Sequence, residues 1–442
     1  MSSRSLEVYM DTVHAADLTY RDGRCILRYD ADYDLVSVSM ALSHRDALTY
    51  KDAAVKPYLQ GLLPDNELTL LAWRKQFSIR AEHPFALLAE VGEECAGAVQ
   101  FLAPELEPSS DGGFEPLGEA DIESLIVGLK SDPSGAPSPG VASGQFSLAG
   151  AQSKFSLLKL GSGGWARSTG AYPSTHIVKP ALGEPGNEFE GKELNEHVCM
   201  TLARRCGLPV PMSAFVRFGD EAAIVVTRYD RIPASSGDPD LYRRVHQEDL
   251  CQALGIMPDK KYTPTIAQIA GLLGRLPQGD REPVSQAFGR ALMYNWLIAG
   301  TDAHAKNYSL LHAVSATRLA PLYDLISYLP YRASGPALGR RPGEGDRTRV
   351  KLPMALGGAW YAQEVTGKNW LAVEAVLGLE AESLLHYGSE LGDRMLTELP
   401  GVLDALRSAG WSHDVLDQLE ARMPDYVAGR RHALTQHRAR RR

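Results

Sequence analysis

The chain has 442 residues, 44% hydrophobic and 23% charged, with a formal net charge of −8. That length exceeds one ordinary core, so two or three domains are expected. The negative balance excludes a global attraction to nucleic acid, no apolar run reaches the roughly 20 residues that span a bilayer, and the first residues lack the apolar stretch of a secretory signal; a cytoplasmic protein with no membrane partner is expected.

In chain order, Leu6–Met10 and Cys25–Tyr29 predict short strands with a hairpin turn at Asp22-Gly23. Asp65-Asn66 marks a helix start, with helix expected over 67–81 and a further apolar segment at Ala86–Val91. Residues 104–119 and 131–145 are rich in Pro, Gly and Ser, which marks a domain boundary and then a loop. Phe155–Leu160 and Thr175–Lys179 predict strands, and Lys192–Cys206 a helix closed by Gly207 and Pro209. Ala214–Phe218 and Ala222–Tyr229 predict a hairpin around Gly219-Asp220, after which the pattern turns helical from about 246, with a long apolar helix over Ser285–Ala299.

The five cysteines (Cys25, Cys95, Cys199, Cys206, Cys251) are odd in number and lack CxxC spacing. They read as small core residues rather than a disulfide framework or a zinc site. The arginines from Arg430 to Arg442 read as a solvated helix end or frayed tail rather than a phosphate contact.

The chemistry concentrates in Gly300–Asn307, where Asp302 and Asn307 are spaced D-x-x-x-x-N after an apolar helix. Phosphoryl transfer needs a carboxylate beside the nucleophile and a neutral oxygen on magnesium, both on one braced loop. An isolated match reads as an N-capping Asp and a turn Asn. Asp324, polar within the apolar, strand-like run Leu319–Leu329, shifts the reading toward chemistry, because a carboxylate there needs a partner or a metal. His304 is placed to orient Asp302, to touch phosphate, or to pack. Lys179 ends a short strand; it either reaches solvent or pairs with phosphates, with Glu196 the candidate to hold it and Glu193 the alternative. Neither a G-x-G-x-x-G nor a Walker A motif precedes Lys179; the available segment is Ser147–Lys154, with the single glycine Gly150. A metal-dependent phosphoesterase built on Asp302, His304 and Asp324 is the competing reading, and it has no use for Lys179.

Ser147–Lys154, Ile177–Pro180, Asn195–Met200, Tyr229–Arg231, His246–Gln252, Gly300–Asn307 and Leu322–Asp324 occur in this order. Together with Leu62–Asn66 they resemble the HipA family of bacterial serine/threonine kinases, the toxins of HipBA modules. The resemblance implies an α+β, two-lobed protein-kinase-like fold: an N-terminal subdomain over 1–110, a nucleotide-binding lobe over 120–235 and an all-helical C-terminal lobe over 236–442, with a metal strand at 322–325. It implies Asp302 as catalytic base, and Asn307 and Asp324 as Mg²⁺ ligands. It implies ATP contacts from the phosphate loop (Ala149, Gly150, Ala151, Gln152, Ser153, Lys154), Lys179, the hinge (Thr227, Arg228, Tyr229), Asp230 at the ribose, His304, Ala305, Lys306 and Tyr323. Thr227 departs from the acidic residue common at that hinge position. Ser147 matches the family's autophosphorylated serine, with Ser153 a rival; two added negative charges there would repel the ATP phosphates. The implied partners are a small HipB-like helix-turn-helix antitoxin, operator DNA through that complex, and an aminoacyl-tRNA synthetase as substrate, glutamyl-tRNA synthetase first, with stalled translation and dormancy as the outcome. The alternative within the same fold is a corepressor that acts only through its antitoxin.

Overall fold

The computed structural model describes residues 4–108, 113–132, 152–170, 172–181, 189–331 and 349–436. Ser147, Ala149, Gly150 and Ala151, the stretch 133–145, most of the loop after Tyr331, and the last six residues lie outside the described residues.

In chain order the strands and helices are β1 (Arg4–Met10), β2 (Val13–Arg21), β3 (Arg24–Tyr29), β4 (Thr49–Lys51), α1 (Asp52–Gly61), α2 (Glu67–Gln76), α3 (Pro84–Val91), β5 (Val99–Leu102), β6 (Gly113–Leu117), α4 (Glu119–Ser131), β7 (Phe155–Lys159), β8 (Trp165–Thr169), β9 (His176–Pro180), α5 (Lys192–Arg205), β10 (Ser213–Phe218), β11 (Glu221–Thr227), β12 (Arg231–Pro233), β13 (Tyr242–Arg244), β14 (His246–Asp249), α6 (Leu250–Leu254), α7 (Ile266–Leu273), α8 (Gln278–Leu297), β15 (Ser309–Ala313), β16 (Ala316–Leu319), β17 (Lys351–Leu356), β18 (Ala359–Tyr361), α9 (Gly367–Leu377), α10 (Ser383–Ser408) and α11 (Asp414–Thr435). They divide into two units: Met1–Pro180 with Ala214–Lys261 and Ser309–Ala316, and Ala181–Ser213 with Tyr262–Tyr308 and Thr317–Arg442.

The first unit holds two large sheets, each with its own core, besides the smaller pairs β12–β13 and β14–β15. One has the order β4-β3-β2-β1-β5 and is antiparallel throughout. Along β3 burial alternates strictly, with Cys25, Leu27 and Tyr29 inward. The period of two puts one face on the core, where Leu6, Val8, Leu59, Trp73 and Phe85 meet it. The second sheet runs β10-β11-β9-β7-β8-β6. Phe155, Leu157, Val178, Ala223 and Val225 form its core with Ile122 and Ile126 of α4.

Three expectations change here. The strand Leu6–Met10 does not pair with Cys25–Tyr29: β2 lies between them and pairs with both. A register shift at Val8/Tyr9 and the polar residues His14, Asp17 and Thr19 hide β2 from an alternation count. Helix α2 stops at Gln76 instead of 81, because Ser78 is left-handed (φ 55°), Ser78 N–H reaches Lys75 O and Ile79 N–H reaches Arg74 O. That is a helix stop of the kind glycine usually supplies. Helix α8 begins at Gln278, before Pro283, rather than at Ser285.

The expected all-helical lobe over 236–442 is not all helical, since β13 to β18 lie within that range; the second unit is helical apart from most of β16 and the ribbon β17–β18. Its core includes Trp296 of α8 and Trp370 of α9, edge to face at 5.6 Å between centroids, with Trp296 Nε1 donating to Ala362 O. The buried Glu374 of α9 accepts N–H bonds from Glu382 and Leu384 at the start of α10. There an acceptor satisfies donors that the helix itself leaves open. Among the described residues no helix is long and apolar enough to cross a membrane.

Candidate active site

The loop that carries Asp302 is set by how α8 ends. Ile298 caps it, Ala299 turns left-handed (φ 57°), Ala299 N–H reaches Trp296 O and Gly300 N–H reaches Asn295 O at 2.7 Å. This Schellman arrangement reverses the chain in two residues. Gly300 is required there, since a Cβ would fall 2.7 Å from Asn295 Oδ1. The next turn exposes Asp302, whose side chain is 53% accessible. The chain then tightens into a 3₁₀ turn over Ala305–Asn307, all three buried.

Within this loop His304 N–H donates to Asp302 O, Asn307 N–H donates to His304 O, and Asn307 Nδ2 donates to Asp302 O at 2.8 Å. The last bond fixes the amide of Asn307 and turns its Oδ1 the other way. The buried His304 holds Nε2 3.7 Å from Asp302 Oδ1. Its ring meets the edge of Tyr262 at 4.9 Å between centroids, and the Tyr262 hydroxyl donates to Asp302 Oδ1 at 2.5 Å.

Asp324 lies in the same unit, beyond β16. The expected metal strand over 322–325 is not a strand: residues 320–327 have no regular structure, and Asp324 is left-handed (φ 55°), a conformation that a strand excludes and Asp tolerates. The segment is held at three points. Leu322 N–H donates to Pro209 O, Tyr323 OH donates to Lys306 O at 2.8 Å, and Asn195 clamps Ser327 by donating to its carbonyl (2.7 Å) and accepting from its N–H (3.1 Å). The Tyr323 bond brings the neighbour of Asp324 against the neighbour of Asn307. Their oxygens are hard donors of the type that magnesium takes, so the donor set fits that ion.

The remaining expected residues lie on other elements. Lys179 is buried on β9 of the first unit, opposite Ile224 of β11, and Glu196 and Glu193 are buried on α5 of the second. Gln152, Ser153 and Lys154 lead into β7. At the hinge, Thr227 pairs with His176 in the sheet and their side chains meet at 3.1 Å. Arg228 N–H is already taken by Thr175 O, and Tyr229 OH donates to Gln247 Oε1.

Asp230 requires a correction. It is buried rather than offered to a ribose. Its Oδ1 accepts from Arg228 Nε and its Oδ2 accepts from Arg228 Nη2 and from Gly97 N–H, with Arg231 Nη1 at 3.1 Å. Arg228 is likewise internal, reaching Glu94 at 2.8 Å; Arg231 and Arg244 complete the set on Glu94 at 2.9 and 3.0 Å. Burial pushes the Glu94 carboxyl up, but attraction to Arg231, Arg244 and Arg228 outweighs it and holds the group at about 2. Asp230 is held below the usual carboxylate range the same way, burial opposing and Arg228 with Arg231 prevailing. These residues brace the segment after β11, and both oxygens of Asp230 are already engaged.

Two contributors escape a reading of the sequence. Asn195 sits on an otherwise apolar helix face, so its buried amide was the available signal. Tyr262 offers none, being 40 positions from Asp302 in a turn without periodicity.

Comparison with known proteins agrees with this architecture. The family model of the HipA-like C-terminal domain matches residues 146–397, and that of the HipA N-terminal domain matches residues 6–102. The chain is 33% identical over 326 residues to the protein Y4mE of Sinorhizobium fredii, covering 71% of this chain and 73% of that one. It is 30% identical over 296 residues to the serine/threonine-protein kinase toxin HipA of Shewanella oneidensis, covering 62% and 63%. A solved structure from Shewanella oneidensis, of HipA with HipB and operator DNA, superposes with a TM-score of 0.75 at 22% identity, over 98% of this chain and 97% of that one. The fold is therefore that of a two-lobed kinase of mixed α and β structure. The chain belongs to the HipA family and is a serine/threonine-protein kinase.

Proposed function

We propose that the protein transfers the γ-phosphoryl group of Mg-ATP to a serine or threonine hydroxyl of another protein. Asp302 accepts the hydroxyl proton, Asn307 and Asp324 hold magnesium, and Lys179 binds phosphates. The single observation behind this reading is the pair of bonds Asn307 Nδ2 to Asp302 O and Tyr323 OH to Lys306 O. They gather one exposed carboxylate and two hard-oxygen donors on adjoining stretches of backbone, which phosphoryl transfer needs. Magnesium, when bound, neutralises charge on the phosphates.

Asp324→Asn tests the metal assignment. Losing outer-shell partners alone costs a metal site about 10–100-fold in affinity, so losing a direct carboxylate should raise the Mg²⁺ needed for half-maximal transfer by at least about tenfold. A magnesium titration identical to wild type would remove Asp324 from the site.

The relatives support a biological setting for this activity. A HipA kinase of Shewanella oneidensis is a toxin, and another structure shows HipA with HipB on operator DNA. We read this chain as the toxin of such a pair, bound by a HipB-like antitoxin, with an aminoacyl-tRNA synthetase, glutamyl-tRNA synthetase first, as its target, stalled translation and persistence as the result, and Ser147 as a self-inactivating phosphosite. Incubation with γ-labelled ATP and a panel of synthetases tests the target; label in none of them would end that part of the reading.

A further inference from the structure

Tyr262 occupies a place that the reaction needs. A phosphoacceptor must bring its hydroxyl within hydrogen-bond reach of the general base, about 2.6–3.2 Å. The Tyr262 hydroxyl already donates to Asp302 Oδ1 at 2.5 Å. Its ring rests edge-on against the buried His304, which fixes the direction of approach. The residue is 47% exposed, so an incoming chain can reach it from solvent.

Resting on the assignment of Asp302 as base, we infer that Tyr262 is a stand-in for the acceptor hydroxyl. It keeps the base engaged until a protein substrate displaces it. The oxygen it excludes is that of water. If water sat there, its oxygen would bond to the γ-phosphorus as the β–γ bridging oxygen left with ADP, and its proton would pass to Asp302: ATP would be hydrolysed without a protein acceptor. A serine or threonine on a docked chain carries enough further contacts to move the phenol aside; a lone water does not. Tyr262 thus separates productive transfer from waste.

Tyr262→Phe removes the hydroxyl and keeps the ring on His304. Phosphate release from Mg-ATP, measured without any protein acceptor, should rise about tenfold, the scale of one lost charge-assisted hydrogen bond, with KM for ATP unchanged. The same measurement on Asp302→Asn and on the double variant separates two failures. If Asp302→Asn abolishes phosphate release but Tyr262→Phe does not raise it, the gate is wrong and the base assignment stands. If release in the double variant equals that of Tyr262→Phe, Asp302 is not the base and both fall. Mass spectrometry of wild type after incubation with ATP adds a third outcome: phosphate on Tyr262 would make it an acceptor and overturn its role as a stand-in. Thermal melting of Tyr262→Phe should match wild type, and a lower melting temperature with unchanged phosphate release would assign Tyr262 to packing instead.

Discussion

Asp302→Asn should lose phosphoryl transfer by about 10²–10⁴-fold while still binding ATP. The substitution keeps the size and the hydrogen-bonding tip of the side chain but removes the charge that accepts a proton. Because the Asp302 side chain is half exposed and asparagine keeps an oxygen for Tyr262 and the buried His304, the fold should be indifferent. The features that shape the loop, the left-handed Ala299, Gly300 and the bond from Asn307 to the Asp302 carbonyl, use backbone atoms at position 302 and survive the change. Nucleotide binding measured by calorimetry, alongside transfer from labelled ATP, distinguishes this from a phosphoesterase, which would hydrolyse phosphomonoesters without ATP. Transfer at more than a tenth of the wild-type rate would reject Asp302 as the base.

The largest stability effect is expected at Glu94. Its carboxylate accepts from Arg228, Arg231 and Arg244 and from Ser174 Oγ, all buried. Removing one member of a buried ionic cluster leaves the others uncompensated and costs about 3–5 kcal/mol. Glu94→Gln should therefore shift the urea midpoint strongly downward. The cluster also sets an acid limb. Glu94 is held at about 2 in the folded protein against an ordinary value of 4.5. A carboxyl depressed on folding stabilises fully above its unfolded value, and that contribution fades as pH falls from 4.5 toward 2. Between those limits the wild type should lose stability more steeply than Glu94→Gln. Parallel acid limbs would show that the carboxylate is not held by the arginines.

How much of this was legible in the sequence depends on how local each signal is. Asp302 and Asn307 sit within one turn of chain, and their spacing carries the geometry directly. The hairpin β10–β11 and helix α5 were equally readable, since Gly219 and Gly207 take left-handed conformations where the sequence implies a turn and a helix stop. Asp324 was readable as a residue but not as a conformation: an apolar run around a lone carboxylate resembles a strand, and only the fold shows the left-handed turn that tilts it out. Asp230 was misread because the arginines that bury it, Arg228 and Arg231, are themselves held by Glu94, 134 and 137 positions away, and no local pattern reports contacts at that separation. Tyr262 and Asn195 depend on tertiary contacts of 40 and 132 positions, beyond what periodicity reports.

All five cysteines are buried, and burial pushes the thiols of Cys25, Cys199 and Cys206 up to about 12. A thiol is reactive only as an exposed thiolate. The folded chain is thus nearly silent toward maleimides and iodoacetamide, and needs no cysteine-free background for spectroscopy. A single cysteine at the exposed Thr263, next to Tyr262, would take a fluorophore or spin label alone. It would then report in real time whether the phenol leaves Asp302 as a protein acceptor arrives.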